Sequence, residues 1–177
     1  MPTTKWALDP THAEIQFKIR HLMITNVTGS FGKFTAEIET TDEGFDSATI
    51  IFSGEINSIT TNNEQRDTHL KSPDFFDAPQ FPTLAFKSTK LEKVSGDKYL
   101  LHGDLIMHGV TRPVKLNVEH GGVIKDPLGL TRTGFTVEGK LNRKEFGLVW
   151  NSATETGGVV LSEEVKLHAE LEFVKQA

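Results

Sequence analysis

The chain has 177 residues, a formal net charge of −5 and no cysteine. A chain of this length is expected to form a single domain over residues 1–177, large enough to bury about 70% of its unfolded surface. The absence of cysteine excludes a disulfide framework, thiolate catalysis and cysteine-based zinc sites, and the absence of a basic cluster argues against nucleic acid as a partner.

The first ten residues contain neither an apolar core segment nor a small-residue cleavage site of the kind found in a secretory leader. We therefore expect a cytoplasmic protein, or a periplasmic one if a leader has been removed. No apolar run approaches the roughly 20 residues that a membrane helix needs, so stable membrane insertion is not expected.

Apolar and polar residues alternate with period two through most of the chain, which predicts about eight strands joined by hairpin-length connections. The runs lie at about 14–20, 34–39, 47–58, 84–87, 99–107, 114–118, 135–141 and 165–173. Between the first two runs, Gly29 and Gly32 predict a bend or bulge rather than a straight strand. Turns are predicted at Asp42–Gly44, Ser95–Asp97 and His108–Gly109.

One stretch between the third and fourth runs lacks this alternation. Thr61 followed by Glu64 is a capping-box pattern, which predicts a helix over about 62–71. Two phenylalanines, Phe75 and Phe76, follow the helix at short range. A single helix with a phenylalanine-rich tail, set between two groups of strands, is typical of a lid or plug.

Long antiparallel strands with one apolar face form either a sandwich or a closed barrel, and closure removes exposed strand edges. The interior of an eight-stranded barrel is either filled by side chains or holds one small ligand. Alternation alone leaves both possibilities open. Because the predicted inner face carries no charge, a hollow interior would suit a long and apolar ligand.

Several spaced motifs accompany the strand pattern. Among them are Trp6-x-Leu8-Asp9-x-x-His12, Arg66-Asp67-x-His69-Leu70, Asp74-Phe75-Phe76-Asp77 and Asn142-Arg143-x-x-Phe146-Gly147. The chain resembles the YceI-like, polyisoprenoid-binding family from about Trp6 to Phe173. The resemblance implies an all-β fold, an extended, lipocalin-like, eight-stranded antiparallel barrel with one short helix between strands. It also implies a tunnel for an isoprenoid or similar amphiphilic lipid, and a homodimer.

The expected ligand is therefore a long-chain amphiphilic lipid, isoprenoid or fatty-acid-like, with no further cofactor. Arg66 and His69 lie one helical turn apart and could meet its head group, although Arg66 could instead form a structural ion pair with Asp67. The expected ligand-binding residues are Phe17, Ile19, Phe34, Ile38, Ile50, Phe52, Arg66, His69, Phe75, Phe76, Leu84, Phe86, Leu101, Leu105, Leu116, Phe135, Val137 and Leu167.

An enzyme and a scaffold without ligand are the two alternatives to lipid binding. A barrel hydrolase or isomerase would use the Arg66, Asp67 and His69 region with Ser72 or Thr68 as nucleophile, but neither residue has a nucleophile motif around it, and no catalytic residue is expected. The seven histidines are scattered without metal-ligand spacing, so no metal site is expected. A stress-related scaffold without ligand would have no cavity and would act through its dimer face.

Overall fold

Ten strands, one α-helix and two 3₁₀ helices make up the regular structure of residues 3–22, 24–41, 45–151 and 160–176, which the computed structural model describes. The strands are β1 (Thr4–His21), β2 (Thr25–Phe31), β3 (Phe34–Thr40), β4 (Thr49–Glu55), β5 (Ile59–Thr60), β6 (Thr83–Ser95), β7 (Lys98–Met107), β8 (Val110–Lys125), β9 (Thr131–Asn142) and β10 (Leu161–Lys175). Helix α1 is Glu64–Leu70, and the 3₁₀ helices are Ile56–Ser58 and Arg143–Phe146. None of these described helices has the length and apolar character to span a membrane.

The strands close into an antiparallel ring because β1 is long enough to pair with two strands on one edge. Its first residues pair with β3, where Trp6 lies opposite Ile38, and its second half pairs with β2, where Phe17 lies opposite Gly29. Its other edge pairs with β10. The ring therefore runs β1-β3-β4-β6-β7-β8-β9-β10, which confirms the predicted closed, eight-stranded barrel, while β2 and β5 extend the wall beside β1.

The connections agree only in part with the predicted turns. Ser95–Asp97 joins β6 to β7 and His108–Gly109 joins β7 to β8, as predicted, while Asp42–Gly44 lies outside the described residues. The bend predicted from the two glycines is wrong at Gly29, which lies within the strand β2. A Cβ atom at Gly29 would overlap the ring of Phe17, so the glycine leaves room for that ring to lie across its partner position and does not mark a bulge.

Aromatic side chains fill the barrel at the end where β1 begins and β10 ends. Phe45 contacts Trp6, Phe135 and His120, with ring centroids 5.5, 5.3 and 4.9 Å apart. Phe173, which is 2% exposed, packs on Phe135 at 6.0 Å. Tilted and edge-to-face contacts of this kind are the arrangements that aromatic rings favour. This end of the barrel, called the packed end below, is therefore an ordinary filled core.

His120 is held as a neutral imidazole at the packed end. Its Nε2 lies 2.7 Å from Oγ1 of Thr133, and that hydroxyl donates its own proton to the carbonyl of Gly122 at 2.8 Å. Nε2 must therefore carry the imidazole proton and donate it to the hydroxyl. Burial lowers the pKa of His120 below its ordinary value of 6.5, because the charged form is poorly solvated there.

We expect this histidine to make the barrel less stable as the pH falls below about 6.5. The unfolded chain, in which His120 has its ordinary pKa, binds a proton first, so acidification favours unfolding; above that pH both states are neutral here. His120→Gln keeps a donor near Thr133 but does not titrate. Its urea midpoint should therefore depend less on pH than that of the wild type between about pH 7 and about pH 5. Parallel curves for the two proteins would contradict this role.

Helix α1 begins two residues later than predicted. Asn63 is its N-cap, with the side-chain oxygen accepting from the N–H of Arg66 at 2.9 Å. Asn62 has a left-handed backbone (φ 62°), which separates Thr61 from the start of the helix. Thr61 instead donates its hydroxyl and its N–H to a carboxylate oxygen of Asp67, at 2.6 and 2.8 Å. The predicted capping box is therefore wrong, although Thr61 still ties the helix to the end of β5.

Candidate ligand cavity

Beyond the packed end, the barrel encloses a cavity of about 430 Å³. The wall consists of inward-facing side chains of the strands together with α1 and the segment that follows it, and Phe173 of the packed end also contributes to it. The volume falls within the range of about 300–1,000 Å³ that is usual for small-molecule sites. The sequence left open whether the interior is filled by side chains or hollow. The barrel is hollow over part of its length and filled at one end.

Most of the residues predicted to contact a ligand line this cavity. These fifteen are Phe17, Ile19, Ile50, Phe52, Arg66, His69, Phe75, Phe76, Leu84, Phe86, Leu101, Leu105, Leu116, Val137 and Leu167. The eleven that lie on strands come together because alternate residues of each strand face the same side of the sheet, and ring closure turns that side inward. The other four belong to helix α1 and the segment that follows it.

Three predicted residues do not line the cavity. Phe34 packs on Phe52, with ring centroids 5.9 Å apart, and borders a separate groove beside the β2–β3 turn. Ile38 is 3% exposed and lies opposite Trp6, and Phe135 belongs to the packed end. Strand alternation identifies the face on which a residue lies, but it does not say how far along the barrel axis the residue lies.

Aromatic contacts hold helix α1 and the segment that follows it against the barrel. His69, Phe75 and Trp150 contact one another with ring centroids 5.0–5.2 Å apart. Phe76, from the same segment, meets Phe31 of β2 at 6.5 Å. All five residues line the cavity. The helix and its phenylalanine-rich tail are thus part of the cavity wall, as the lid-or-plug prediction requires.

Arg66 is largely exposed and also borders the cavity. Its Nε donates to Oγ1 of Thr61 and its Nη2 to the carbonyl of the same residue, both at 2.7 Å. Asp67 accepts from Thr61 as well. A direct Arg66–Asp67 ion pair is not found among the described residues, and the two charged groups are linked through the threonine. Arg66 therefore holds Thr61 while its charge lies at the edge of the cavity.

The same region does not assemble the groups that hydrolysis requires. His69 Nε2 lies 2.8 Å from a carboxylate oxygen of Asp74. The Ser72 hydroxyl donates to the carbonyl of His69 at 2.5 Å, and the Thr68 hydroxyl donates to the carbonyl of Glu64 at 2.9 Å. Both candidate nucleophiles thus direct their protons to backbone carbonyls rather than to the imidazole, so the enzyme hypothesis gains no support from this geometry.

Arg143 lines the cavity but was not among the predicted residues. It is 3% exposed, lies in the second 3₁₀ helix, and donates from Nε to the carbonyl of Ser162 at 2.8 Å. Its Nη1 donates to the carbonyls of Leu148 and Trp150, at 2.6 and 2.8 Å. In the sequence, Arg143 is marked by the Asn142-Arg143-x-x-Phe146-Gly147 motif. The motif does not reveal where the guanidinium group of Arg143 points.

The polar side chains that line the cavity are either cationic or neutral. They are Arg66, Arg143, His21, His69 and Thr61. No aspartate or glutamate is among the described residues of the wall. The cavity therefore combines a long apolar surface with a few cationic or neutral polar groups, and it offers no carboxylate to a bound molecule.

A separate charged cluster lies away from the cavity and joins β1, β9 and β10. Arg132 Nη1 contacts carboxylate oxygens of Asp9 and Glu172 at 2.8 and 2.9 Å, and its Nε contacts Asp126 at 2.7 Å. His12 Nδ1 lies 3.0 Å from the same Asp9 oxygen. Asp9, His12 and Glu172 approach closely enough to hold a cation, but the guanidinium group already supplies the positive charge. We interpret the cluster as structural.

The cluster predicts a pH-dependent effect of Arg132→Met. Hydrogen bonds from Thr11, His12 and Arg132 hold the pKa of Asp9 well below its ordinary 3.8, and Arg132 also lowers the pKa of Asp126. Carboxylates with lowered pKa values stabilise the fold above their ordinary pKa and lose that contribution in acid. Arg132→Met should therefore lower the urea midpoint at about pH 7, and the difference should shrink towards about pH 3.

The matched control is Lys140→Met, an exposed position on the same strand β9. It should lower the midpoint less than Arg132→Met at neutral pH. A loss of stability in Arg132→Met that is the same at every pH would contradict the proposed network.

The closed ring and its apolar cavity place the chain in the class of lipocalin-like barrels, which enclose a ligand-sized space between their strands. Within that class, the chain belongs to the YceI-like family, because the model of the YceI-like domain matches residues 6–173. The resemblance in the sequence motifs is thereby confirmed over nearly the whole chain.

Relatives of known sequence or structure cover most of the chain. A UPF0312 protein of Staphylococcus aureus (strain USA300) is 41% identical over 175 residues, covering 96% of this chain and 97% of the relative. The solved YCEI protein of Campylobacter jejuni is 32% identical, with a TM-score of 0.78 over 89% of this chain and 90% of that one. A polyisoprenoid binding domain from Saccharophagus degradans is 16% identical and matches in fold, with a TM-score of 0.66 and coverages of 97% and 98%.

Proposed function

We propose that the chain binds a long amphiphilic lipid, a polyisoprenoid or a lipid of similar shape, in the barrel cavity. The observation that carries the proposal is the apolar cavity of about 430 Å³ left open beside a well-packed aromatic core. Open apolar space deprives its lining of van der Waals contacts and costs stability, so a guest of matching chemistry gains by filling it. The Saccharophagus degradans domain with the same fold is described as polyisoprenoid binding, which supports the choice of lipid.

The hydrophobic effect supplies enough free energy for such binding. Each buried methylene contributes about 0.8 kcal/mol, so a buried chain of about twenty carbons contributes roughly 16 kcal/mol, of which ordering costs of about 8 kcal/mol leave about half. A net free energy of about 8 kcal/mol corresponds to a dissociation constant near 1 μM. The rigid rings of Phe17, Phe52 and Phe86 in the wall add contact area at little cost in side-chain entropy.

The protein would then shield or carry a lipid that is poorly soluble in water. The scaffold hypothesis fits less well, because a scaffold has no need of a cavity. The expected homodimer and the expected cytoplasmic location stay predictions.

A titration with geranylgeraniol tests the proposal. Delipidated protein should bind one molecule per chain in a saturable manner, with a change in the fluorescence of Trp150 and a rise in melting temperature. The short alcohol isopentenol is the control, since a single five-carbon unit covers too little of the wall to bind comparably. Equal responses to the two alcohols, or no response to either, would contradict lipid binding.

A further inference from the structure

The end of the barrel away from the packed end carries exposed apolar side chains. The cavity wall there includes His21 and Leu161, which form the last pair that joins β1 to β10. Just beyond His21, Leu22 and Ile24 are 41% and 72% exposed. Val149, which is 59% exposed, lies between two residues that line the cavity. This end, called the cavity end below, therefore exposes three large apolar side chains next to the cavity wall.

The backbone of Leu22 also indicates that its side chain has a purpose outside the fold. It is left-handed (φ 52°), in a region that favours glycine and asparagine over leucine. Its N–H donates to the carbonyl of Val160 at 2.7 Å, which attaches the β1–β2 connection to the residue before β10. Asparagine or glycine would fit this backbone with less strain and would expose no apolar side chain to water. A leucine here is therefore better explained by a contact outside the chain.

Three lysines form a row on the outer face of the barrel near the cavity end. Lys18 of β1 lies opposite Lys166 of β10, and Lys166 lies opposite Lys140 of β9. All three are exposed, and none of them has an ion pair within the described part of the chain. Like charges directly opposite one another destabilise a sheet. The lysine row is therefore a local concentration of positive charge that a polyanionic surface would stabilise.

Nearby acidic groups offset only part of this charge. Glu163 contacts Nζ of Lys144 at 2.9 Å, and Glu138 lies 3.1 Å from Nδ1 of His168. Glu164, also on β10, is exposed and adds one further carboxylate beside the three lysines. The whole chain has a net charge of −5, so the lysine row is not part of a general excess of basic residues.

We propose that the cavity end docks reversibly on an anionic lipid bilayer, with Leu22, Ile24 and Val149 entering the membrane interface and the lysine row facing the lipid head groups. At ~3.3 Å per residue, Lys18 lies about 13 Å from Leu22 along β1, so a tilted barrel brings both to one surface. Exposed apolar side chains beside basic residues are the combination by which peripheral proteins bind anionic membranes. An acidic protein partner would use the lysines but would have no need of apolar side chains next to a lipid cavity.

Docking goes beyond the proposed function and rests on it for its purpose, because a lipid carried in the cavity has to be collected from a membrane or delivered to one. Sedimentation with vesicles tests it. Vesicles of phosphatidylcholine with about one third phosphatidylglycerol are compared with vesicles of phosphatidylcholine alone, at low and high salt. We expect the protein to bind the anionic vesicles at least about tenfold more tightly, and high salt to weaken that binding by screening the lysines.

Lysine substitutions at the two ends of the barrel form a matched pair. Lys18→Gln/Lys166→Gln should weaken binding to anionic vesicles roughly 20-fold, since each lysine near such a surface contributes a factor of about five. Lys98→Gln/Lys125→Gln changes the net charge equally in the hairpins of the packed end and should have much less effect. The first variant should also keep or raise the urea midpoint, because it removes repulsion between opposite lysines.

Apolar substitutions form a second matched pair. Ile24→Ser should weaken vesicle binding by about tenfold or more. Ile124→Ser is the control, because Ile124 is 65% exposed but lies near the end of β8 at the packed end. Leu22→Asn separates docking from folding: the urea midpoint should equal or exceed that of the wild type, since asparagine tolerates the left-handed backbone, while vesicle binding falls.

Wild-type protein that does not bind anionic vesicles, equal effects of the cavity-end and packed-end variants, or tighter binding to polyglutamate than to vesicles would overturn docking on a membrane. Each variant is also titrated with geranylgeraniol in the absence of vesicles. Loss of vesicle binding with normal binding of geranylgeraniol is the expected result for the cavity-end variants. Wild-type protein that binds geranylgeraniol but no vesicles rejects the docking alone, whereas failure of geranylgeraniol to bind rejects the proposed function.

Discussion

Filling the cavity is expected to weaken lipid binding strongly while leaving the fold intact, and Val137→Trp is the variant of choice. Val137 lies on β9 between Val118 of β8 and Ala169 of β10, is half-buried, and lines the cavity. An indole at this position would occupy space that about four methylenes of a lipid would otherwise fill. At about 0.8 kcal/mol each, their loss weakens binding by roughly 3 kcal/mol, or about 100-fold.

The stability of Val137→Trp separates a hollow barrel from a filled one. Overpacking a filled core costs about 1–3 kcal/mol, whereas a ring that enters open space displaces nothing. We therefore expect the urea midpoint of Val137→Trp to equal or exceed that of the wild type, while its affinity for geranylgeraniol falls. Glu138→Trp, at the neighbouring exposed position, is the control and should leave the affinity unchanged. A destabilised variant with normal affinity would show that no usable space exists beside Val137.

The second large effect is expected at the packed end. Phe135→Ala should lower the free energy of unfolding by about 3–5 kcal/mol, because the rings of Phe45, His120 and Phe173 all pack on Phe135. Leu167→Ala should cost less than about half as much, since Leu167 is half-buried and already faces the cavity. Urea denaturation of both variants measures the difference.

The affinity for lipid should change in the opposite order, more in Leu167→Ala than in Phe135→Ala. Leu167→Ala removes part of the cavity wall and should change the affinity for geranylgeraniol, whereas Phe135→Ala, if folded, should change it little. Equal losses of stability at the two positions would mean that the barrel is filled evenly along its axis. That result would remove the distinction between core and cavity on which the account depends.

The inward face of each strand was predictable because side chains of a strand alternate between two sides of the sheet, as Leu101 and Leu105 do. Alternation left a sandwich and a closed barrel both open, and the closed ring was expected from the family resemblance. The position of a residue along the barrel axis cannot be predicted from this alternation. Phe34, Ile38 and Phe135 obey the same alternation as the cavity residues, yet their distance from the open space depends on strand stagger and on partners far away in the chain.

The other differences between prediction and structure concern the start of helix α1 and the position of Arg143. The pattern of Thr61 and Glu64 favours a capping box, but Asn62 takes a left-handed conformation, and Asn63 caps the helix instead. Arg143 was visible only as part of a motif. Its position depends on carbonyls of Leu148, Trp150 and Ser162, which a short-range pattern does not place.

Organic extraction of the protein as isolated, combined with native mass spectrometry of the same sample, is the most direct measurement. We expect a fraction of the chains to carry extra mass that matches one extractable single-chain lipid, and Val137→Trp to lose it. Wild-type protein that takes up no lipid even when membranes are supplied during refolding, and whose mass equals that of the bare chain, would contradict a barrel made to enclose hydrocarbon.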